Sequence, residues 1–197
     1  MSSPVKRTNL IRKFAALLIL VGLLLTWNGS WIQIKAAVAQ VLLKHSWQKT
    51  LTNGGIHKPW PWADHWSVAR LIVPSKEIDQ IVLSGESGNV LAFAPGHNIQ
   101  SARPGEEGTV VISGHRDTHF RFLEGLSVGH RIYLETGQGV TTYQVSHFEV
   151  VDSNTTRIRL DDELDQLLLV TCYPFDALEP HGPLRYIVMA QRVHRLS

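Results

Sequence analysis

Residues 167–185 have the sequence LLLVTCYPFDALEPHGPLR, and this stretch decides the predicted fold. It opens with four apolar residues and places Thr171 and Cys172 directly before Tyr173-Pro174. Because an apolar run that stops at a proline is typical of a buried strand ending at a loop, we expect Cys172 at the edge of a sheet. The chain has one cysteine and therefore no internal disulfide, so this thiol is either a packing group or a reactive group.

Two further polar side chains accompany apolar runs elsewhere in the sequence. Arg185 opens an apolar run thirteen residues after Cys172, and His115 follows the run 109–113 and Gly114. If the strands that carry Cys172 and Arg185 pair as neighbours, the guanidinium lies beside the thiol, where a cation favours the reactive thiolate. The three side chains therefore form a candidate catalytic group at the ends of three strands.

This order of His, Cys and Arg at three strand ends resembles the sortase family, the cysteine transpeptidases of the bacterial cell surface. The family's Thr-Leu-x-Thr-Cys motif corresponds to residues 168–172, with Leu168 in place of the first threonine. The likeness covers about residues 60–192. Three segments look most like the sortase class of Gram-negative, notably marine, proteobacteria: GHRDTHF at 114–120, TCYPF at 171–175 and KPWPWAD at 58–64.

The resemblance implies a role for each candidate residue. Cys172 would be the nucleophile that forms a thioester, His115 the general acid and base, and Arg185 the group that faces the oxyanion or holds the substrate backbone. Substrate contacts are expected from Thr171, Asp117 and His119. The expected substrate is a secreted protein with a C-terminal LPxTG-like sorting signal, and the acyl acceptor is an unidentified amine or water. No metal ion or organic cofactor is expected.

The part of the chain from 67 to 197 shows short apolar runs separated by glycine- and proline-rich turns. About eight such runs predict an all-β barrel or sandwich. The resemblance selects an eight-stranded sortase-type β-barrel with short helices, and a helical turn is expected around 120–125. The predicted strands are 68–73, 80–83, 90–93, 109–113, 131–135, 140–152, 166–171 and 184–193.

Charge divides the chain into two parts. Residues 1–63 contain eight basic and no acidic residues, whereas residues 64–197 contain eleven basic and 17 acidic residues. The small positive net charge therefore reflects the N-terminal part, and the sequence gives no case for nucleic-acid binding.

The N-terminal part predicts a membrane anchor. A basic segment, 1–13, precedes an uncharged apolar stretch, 14–34, whose 21 residues match the ~20 that a helix needs to cross a bilayer core. Basic residues on its N-terminal side predict that this end is cytoplasmic. We therefore expect a single-pass anchor in contact with lipid of the bacterial inner membrane, with the catalytic barrel in the periplasm. Cleavage of a signal peptide after Ala39 is the alternative.

Residues 35–66 are expected to join the anchor to the barrel. A helix is predicted over 32–51, ending at Asn53-Gly54-Gly55 and lying either on the membrane or on the domain. The Pro/Trp segment 59–66 predicts an extended strap. The apolar residues that recur at near-helical spacing are Ile34, Val38, Val41, Leu42 and Trp47.

Other functions remain open on the sequence alone. An L,D-transpeptidase acting on peptidoglycan is one, although such enzymes place glycine directly before the cysteine, where this chain has Thr171. A tethered, non-catalytic β-barrel binding module with an inert thiol is another, and resistance of Cys172 to alkylation would favour it. A metal site at His115, Asp117 and His119 is a weak alternative, because no clear further His or Cys ligand follows nearby.

Overall fold

The computed structural model describes residues 13, 14, 17, 18, 22, 38–158, 160, 164–177 and 182–193. The chain divides into two compact units, Met1–Val41 and Leu42–Ser197. In the first unit all the described residues are helical. Most of the predicted segments 1–13 and 14–34 lies outside the described residues. Among the helices that the structure describes, none has the length and apolar character needed to cross a membrane.

The second unit is built around a closed β-barrel, which confirms the predicted fold class. Its strand order is β1-β2-β3-β4-β7-β8-β6-β5. The described strands are β1 (Ser67–Val73), β2 (Ile78–Ser84), β3 (Gly96–His97), β4 (Thr109–Ser113), β5 (Arg131–Thr136), β6 (Gly139–Asp152), β7 (Gln166–Cys172) and β8 (Leu184–Arg192). Two short 3-10 helices, Pro74–Lys76 and Arg121–Gly125, accompany them, and the second confirms the helical turn predicted near 120–125.

One predicted strand, 90–93, was wrong, because its residues belong to the short helix α2 (Gly88–Leu91) and the turn after it. Ser87 lies before the helix in an extended conformation, and its hydroxyl accepts a hydrogen bond from the Val90 amide at 3.4 Å. This N-cap favours a helix over a strand. The two-residue strand β3 takes the missing place in the barrel, and so short a strand has no apolar run to predict it.

The helix α1 occupies residues 38–53 and stops at Gly54, as predicted. Of the apolar residues that recur along it, Val38 and Val41 are exposed and Trp47 is buried. Leu43, one turn before Trp47, is also buried, and both pack in a cluster that includes Ile81 of β2. Within the second unit this helix therefore packs on the barrel. Of the two predicted positions, on the membrane or on the domain, the second describes this contact.

Strand β7 is buried on both of its faces, which explains its unbroken apolar sequence. Leu167 and Leu169 belong to the barrel interior. Leu168 and Val170 point the other way, because side chains alternate along a strand, and they lie on the outer surface of the barrel in a second cluster. We call this the outer apolar cluster; its buried members are Val111, Leu168, Val170 and Ile187.

Candidate active site

Strand register brings the three predicted catalytic positions to one edge of the barrel. Strands β4 and β7 run parallel with Ser113 opposite Val170. His115 comes two residues after Ser113, and Cys172 comes two residues after Val170. Because the strands are parallel, both residues lie at the same end of the strand pair. Strand β8 runs antiparallel to β7 and places Arg185 directly opposite Cys172. The predicted pairing of the strands that carry Cys172 and Arg185 is therefore confirmed.

The outer apolar cluster identifies the face on which Cys172 lies. Leu168 and Val170 belong to this cluster, and Cys172 continues the same alternation along β7. Residues directly opposite on paired strands share a face, so Arg185 lies on this face too. Cys172 is a free, half-buried thiol. Cys172 therefore lies next to the outer apolar cluster, at the end of β7, and is not sealed inside the barrel.

Thr171 and Gly114 connect the exit of β4 to β7. The Thr171 hydroxyl, in a side chain only 3% exposed, donates to the Gly114 carbonyl oxygen at 2.7 Å. The Gly114 amide donates to the Val170 carbonyl oxygen at 3.1 Å. A Cβ at position 114 would lie 2.8 Å from the Phe120 ring, so this close approach requires glycine. Together these contacts hold the backbone before His115 against β7; the predicted substrate contact of Thr171 stays a prediction.

We expect Thr171→Val to lower the free energy of unfolding by about 1–3 kcal/mol, because it leaves the buried Gly114 carbonyl without this donor. The matched control is Thr171→Ser, which keeps the hydroxyl and should retain most of the stability. Urea unfolding monitored by circular dichroism measures both variants. A valine variant as stable as the serine variant would show that the hydroxyl bond to Gly114 contributes nothing.

Arg185 uses one of its guanidinium nitrogens within its own loop. Its Nη1 donates to the carbonyl oxygens of Gly182 at 2.7 Å and Leu184 at 2.9 Å. Nε and Nη2 make no hydrogen bond with any residue that the structure describes, and none of the described carboxylates forms an ion pair with this side chain. Two acidic residues in the loop before it are possible ion-pair partners by sequence: Asp176 is described and does not pair with Arg185, and Glu179 lies outside the described residues. With respect to the described part of the chain, Nε and Nη2 of Arg185 are therefore available to a ligand.

Arg116 is a functional candidate that the sequence did not single out. Its side chain is 7% exposed, and its guanidinium donates to the carbonyl oxygens of Pro174 at 2.7 Å and Ala177 at 2.8 Å. It also binds both carboxylate oxygens of Asp117, at 2.8 and 2.9 Å. These bonds attach the segment that follows Cys172 to the segment that follows β4. The sequence feature that could have pointed to Arg116 was its position inside the GHRDTHF segment, directly after His115.

The charge of Arg116 also acts on the catalytic edge. Its pKa is raised above the usual value, first by the hydrogen bonds that it donates to Asp117 and to a smaller extent by electrostatic attraction to Asp117, Cys172 and Asp176. The hydrogen bonds to the carbonyl oxygens of Pro174 and Ala177, two and five residues after Cys172, place this guanidinium beside the segment that follows the thiol. The structure thus presents two cations to the neighbourhood of Cys172, Arg116 and Arg185.

Asp117 and His119 flank His115 with different surroundings. Asp117 is exposed, and the bidentate bond from Arg116 holds the pKa of its carboxyl below the usual value. His119 is half-buried, and burial is the main reason that its pKa is lowered, followed by repulsion from His115. Among the residues described, no group of three or more His, Cys, Asp or Glu side chains is placed to hold a metal ion. The predicted substrate contacts of both residues stay predictions.

Replacement of Arg116 by lysine should reduce turnover about tenfold or more, because lysine keeps the charge but cannot donate to two carbonyls and a carboxylate in a fixed planar arrangement. Amide hydrogen exchange in residues 173–177 should become faster in this variant. Arg103→Lys is the matched control, since Arg103 is 82% exposed and forms only a long ion pair with Glu106. Slow exchange in 173–177 and full turnover in Arg116→Lys would contradict this positioning role.

Comparison of the sequence with protein-family models identifies the family of this chain. The family model described as Sortase domain matches residues 71–193, which is more than half of the chain and contains His115, Cys172 and Arg185. The chain belongs to the sortase family. This confirms the family predicted from the sequence and sets aside an L,D-transpeptidase.

Individual relatives support the assignment. Sortase D of Bacillus subtilis (strain 168) is 36% identical over 124 residues, which are 62% of this chain and 62% of that protein. A sortase D5 transpeptidase of Clostridium perfringens has a similar structure, with a TM-score of 0.64 at 22% identity over 80% of this chain and 99% of that one. Sortase A of Corynebacterium diphtheriae has a TM-score of 0.60 at 24% identity, covering 80% and 85% of the two chains. The two structural likenesses support the sortase fold.

Proposed function

We propose that this sortase is a cysteine transpeptidase that cleaves a C-terminal LPxTG-like sorting signal of a secreted protein and transfers the acyl group to an amine or water. The observation that carries this proposal is the register that places His115, Cys172 and Arg185 on the three neighbouring strand ends of β4, β7 and β8. Membership of the sortase family supports the same chemistry.

Acylation begins with attack of the Cys172 sulfur on the carbonyl carbon of the scissile peptide bond. Splitting amide cleavage into two steps through a covalent intermediate replaces one high barrier by two lower ones. Arg185 lies opposite Cys172 and donates from Nε and Nη2 to the oxyanion that develops on the substrate carbonyl. As the carbon–nitrogen bond breaks, the departing amine takes a proton from His115, and the acyl group remains on sulfur as a thioester.

Deacylation reverses these roles. An incoming amine or water attacks the thioester carbon, and His115 accepts the proton that the nucleophile loses. The carbon–sulfur bond breaks and its electron pair returns to Cys172. Arg116 contributes by holding the backbone of Pro174 and Ala177, just after Cys172, in both half-reactions.

The location that fits this function is the outer face of the inner membrane. In this location residues 14–34 cross the bilayer as a single-pass helix, residues 1–13 lie in the cytoplasm and the barrel lies in the periplasm. It is supported by the uncharged length of 14–34 and by the basic residues on its N-terminal side.

The test is to trap and identify the acyl-enzyme. The full chain, in detergent, is incubated with a mixture of peptides that share an Leu-Pro-x-Thr core and is quenched in acid, and the adduct on the Cys172 peptide is sequenced by mass spectrometry. We expect a thioester that ends at the substrate threonine and that hydroxylamine releases. A peptidoglycan stem peptide serves as the comparison substrate. Rapid alkylation of Cys172 combined with no adduct from any sorting peptide would reject this substrate class.

A further inference from the structure

A cavity of about 700 Å³ lies next to the β4 side of the catalytic edge. The strap that precedes β1 forms one wall, and the turn between β2 and α2 forms another. The charged, imidazole and aromatic side chains of the lining include Trp60, Trp62, Asp64, His65, Glu86 and Phe93. All of them belong to the second compact unit of the chain.

The chemistry of this cavity suits a small cation. Asp64 and Glu86 supply two carboxylates, and none of the described lining residues is a lysine or arginine. Aromatic rings form much of the remaining wall, and Trp62 is 78% exposed at the cavity. Ammonium groups bind favourably between carboxylates and aromatic faces, through ion pairing and cation–π attraction.

His65 gives a second, independent indication of a ligand. The residue is only 5% exposed and lines the cavity, and its Nε2 has no hydrogen-bond partner among the residues that the structure describes. The ring contacts Trp60 edge-on, with 5.3 Å between ring centroids, and lies 5.8 Å from the Phe93 centroid. Burial lowers the pKa of His65, which favours the uncharged ring over the charged one beside a bound cation. A buried polar atom without a partner is costly, and a polar ligand would supply one.

The cavity adjoins the catalytic edge through Glu86. The Glu86 carboxylate accepts a hydrogen bond from the hydroxyl of Ser113, the last residue of β4. Ser113 lies opposite Val170, two residues before Cys172, so strand geometry separates the Cα atoms of Ser113 and Cys172 by about 8 Å. Glu86 therefore flanks Cys172 from the β4 side, whereas Arg185 lies on the β8 side.

We infer that this cavity binds the acyl acceptor of the transpeptidation reaction, a molecule with a protonated primary amine, and delivers it to the thioester on Cys172. The inference rests on the proposed function. The bound ammonium loses one proton to solvent, and the nitrogen lone pair then forms a bond to the thioester carbon. The carbon–sulfur bond breaks with its electrons returning to Cys172, and the second proton on nitrogen passes to His115. The products are an amide and the free enzyme.

The experiment measures how the acyl-enzyme partitions between an amine and water. The full chain cleaves a sorting peptide in the presence of increasing glycinamide, which is largely cationic near neutral pH, and the amide and acid products are quantified by mass spectrometry. Hydroxylamine, which is mostly uncharged at the same pH, is the matched probe. The variants are Glu86→Gln, Asp64→Asn, the double variant and Trp62→Ala; Glu107→Gln is the control, an exposed carboxylate outside the cavity.

We expect the double variant to raise the glycinamide concentration for half-maximal amide formation about tenfold or more, the effect of losing charged hydrogen bonds. Its partition with hydroxylamine should change much less, and Glu107→Gln should partition like the native chain. Asp64→Asn alone should shift in the same direction, which separates amine binding from the Ser113 contact of Glu86. Native partition with glycinamide in the double variant, with thioester formation intact, would overturn this inference alone. A native chain that forms no thioester would instead overturn the proposed function and the acceptor role that rests on it.

Discussion

Replacement of Cys172 with alanine is expected to reduce cleavage of the sorting peptide by at least about 10³-fold, because no other thiol in the chain can form the thioester. His115→Ala should cause a loss of similar size, since the departing amine then lacks its proton donor. Peptide cleavage is measured by chromatography of the products, and the acyl-enzyme by mass spectrometry. Neither variant should accumulate a thioester.

Two controls separate loss of chemistry from loss of fold. Cys172 is half-buried and His115 is exposed, so both alanine variants should keep the circular dichroism spectrum of the barrel and unfold cooperatively in urea. His147→Ala is the matched histidine control, because His147 is exposed on β6, away from the catalytic edge. Full cleavage by a folded Cys172→Ala or His115→Ala variant would refute the mechanism.

Arg185→Lys is expected to reduce kcat/KM about 10²-fold, and Arg185→Gln about 10³-fold, on the scale of removing an oxyanion donor. In the native side chain Nη1 binds the Gly182 and Leu184 carbonyls, while Nε and Nη2 remain available to a ligand. Lysine keeps the positive charge but has a single nitrogen, so it cannot make both sets of contacts. Both variants should slow thioester formation as well as overall turnover, which single-turnover mixing can resolve.

The matched control for this prediction is Arg131→Lys, since Arg131 is exposed on β5 and lies outside the catalytic edge. Urea unfolding of the Arg185 variants shows whether the lost carbonyl contacts also destabilise the loop. Arg185→Lys with native kcat/KM would show that charge alone suffices and that the planar fork has no role.

The parts of the fold that the sequence predicted are those with a strong local signal. Strand β7 has an apolar run because both of its faces are buried, and α1 ends at Gly54 because glycine there adopts a φ of +68°. The strand predicted at 90–93 failed because apolar content in a short window does not distinguish a strand from a capped helical turn. Strand β3 was missed because its two residues have no periodicity.

The catalytic positions could be predicted because each follows or opens an apolar run, which places it at a strand end. The contacts that support them could not. Arg116 reaches Pro174 and Ala177 across 58 and 61 residues of sequence, and Glu86 reaches Ser113 across 27. Such contacts depend on which strands become neighbours, and the parallel pairing of β4 with β7 is a property of the whole barrel.

The pairing of β4, β7 and β8 also determines when reactivity can arise during biosynthesis. The pairing of β4 with β7 joins segments more than 50 residues apart in the chain, and the last of the described strands contributes Arg185. A nascent polypeptide that has not yet released β8 has the thiol but neither its partner strand nor its guanidinium. Because such long-range pairings form late in folding, the nucleophile becomes competent only when nearly all of the barrel has been translated and closed.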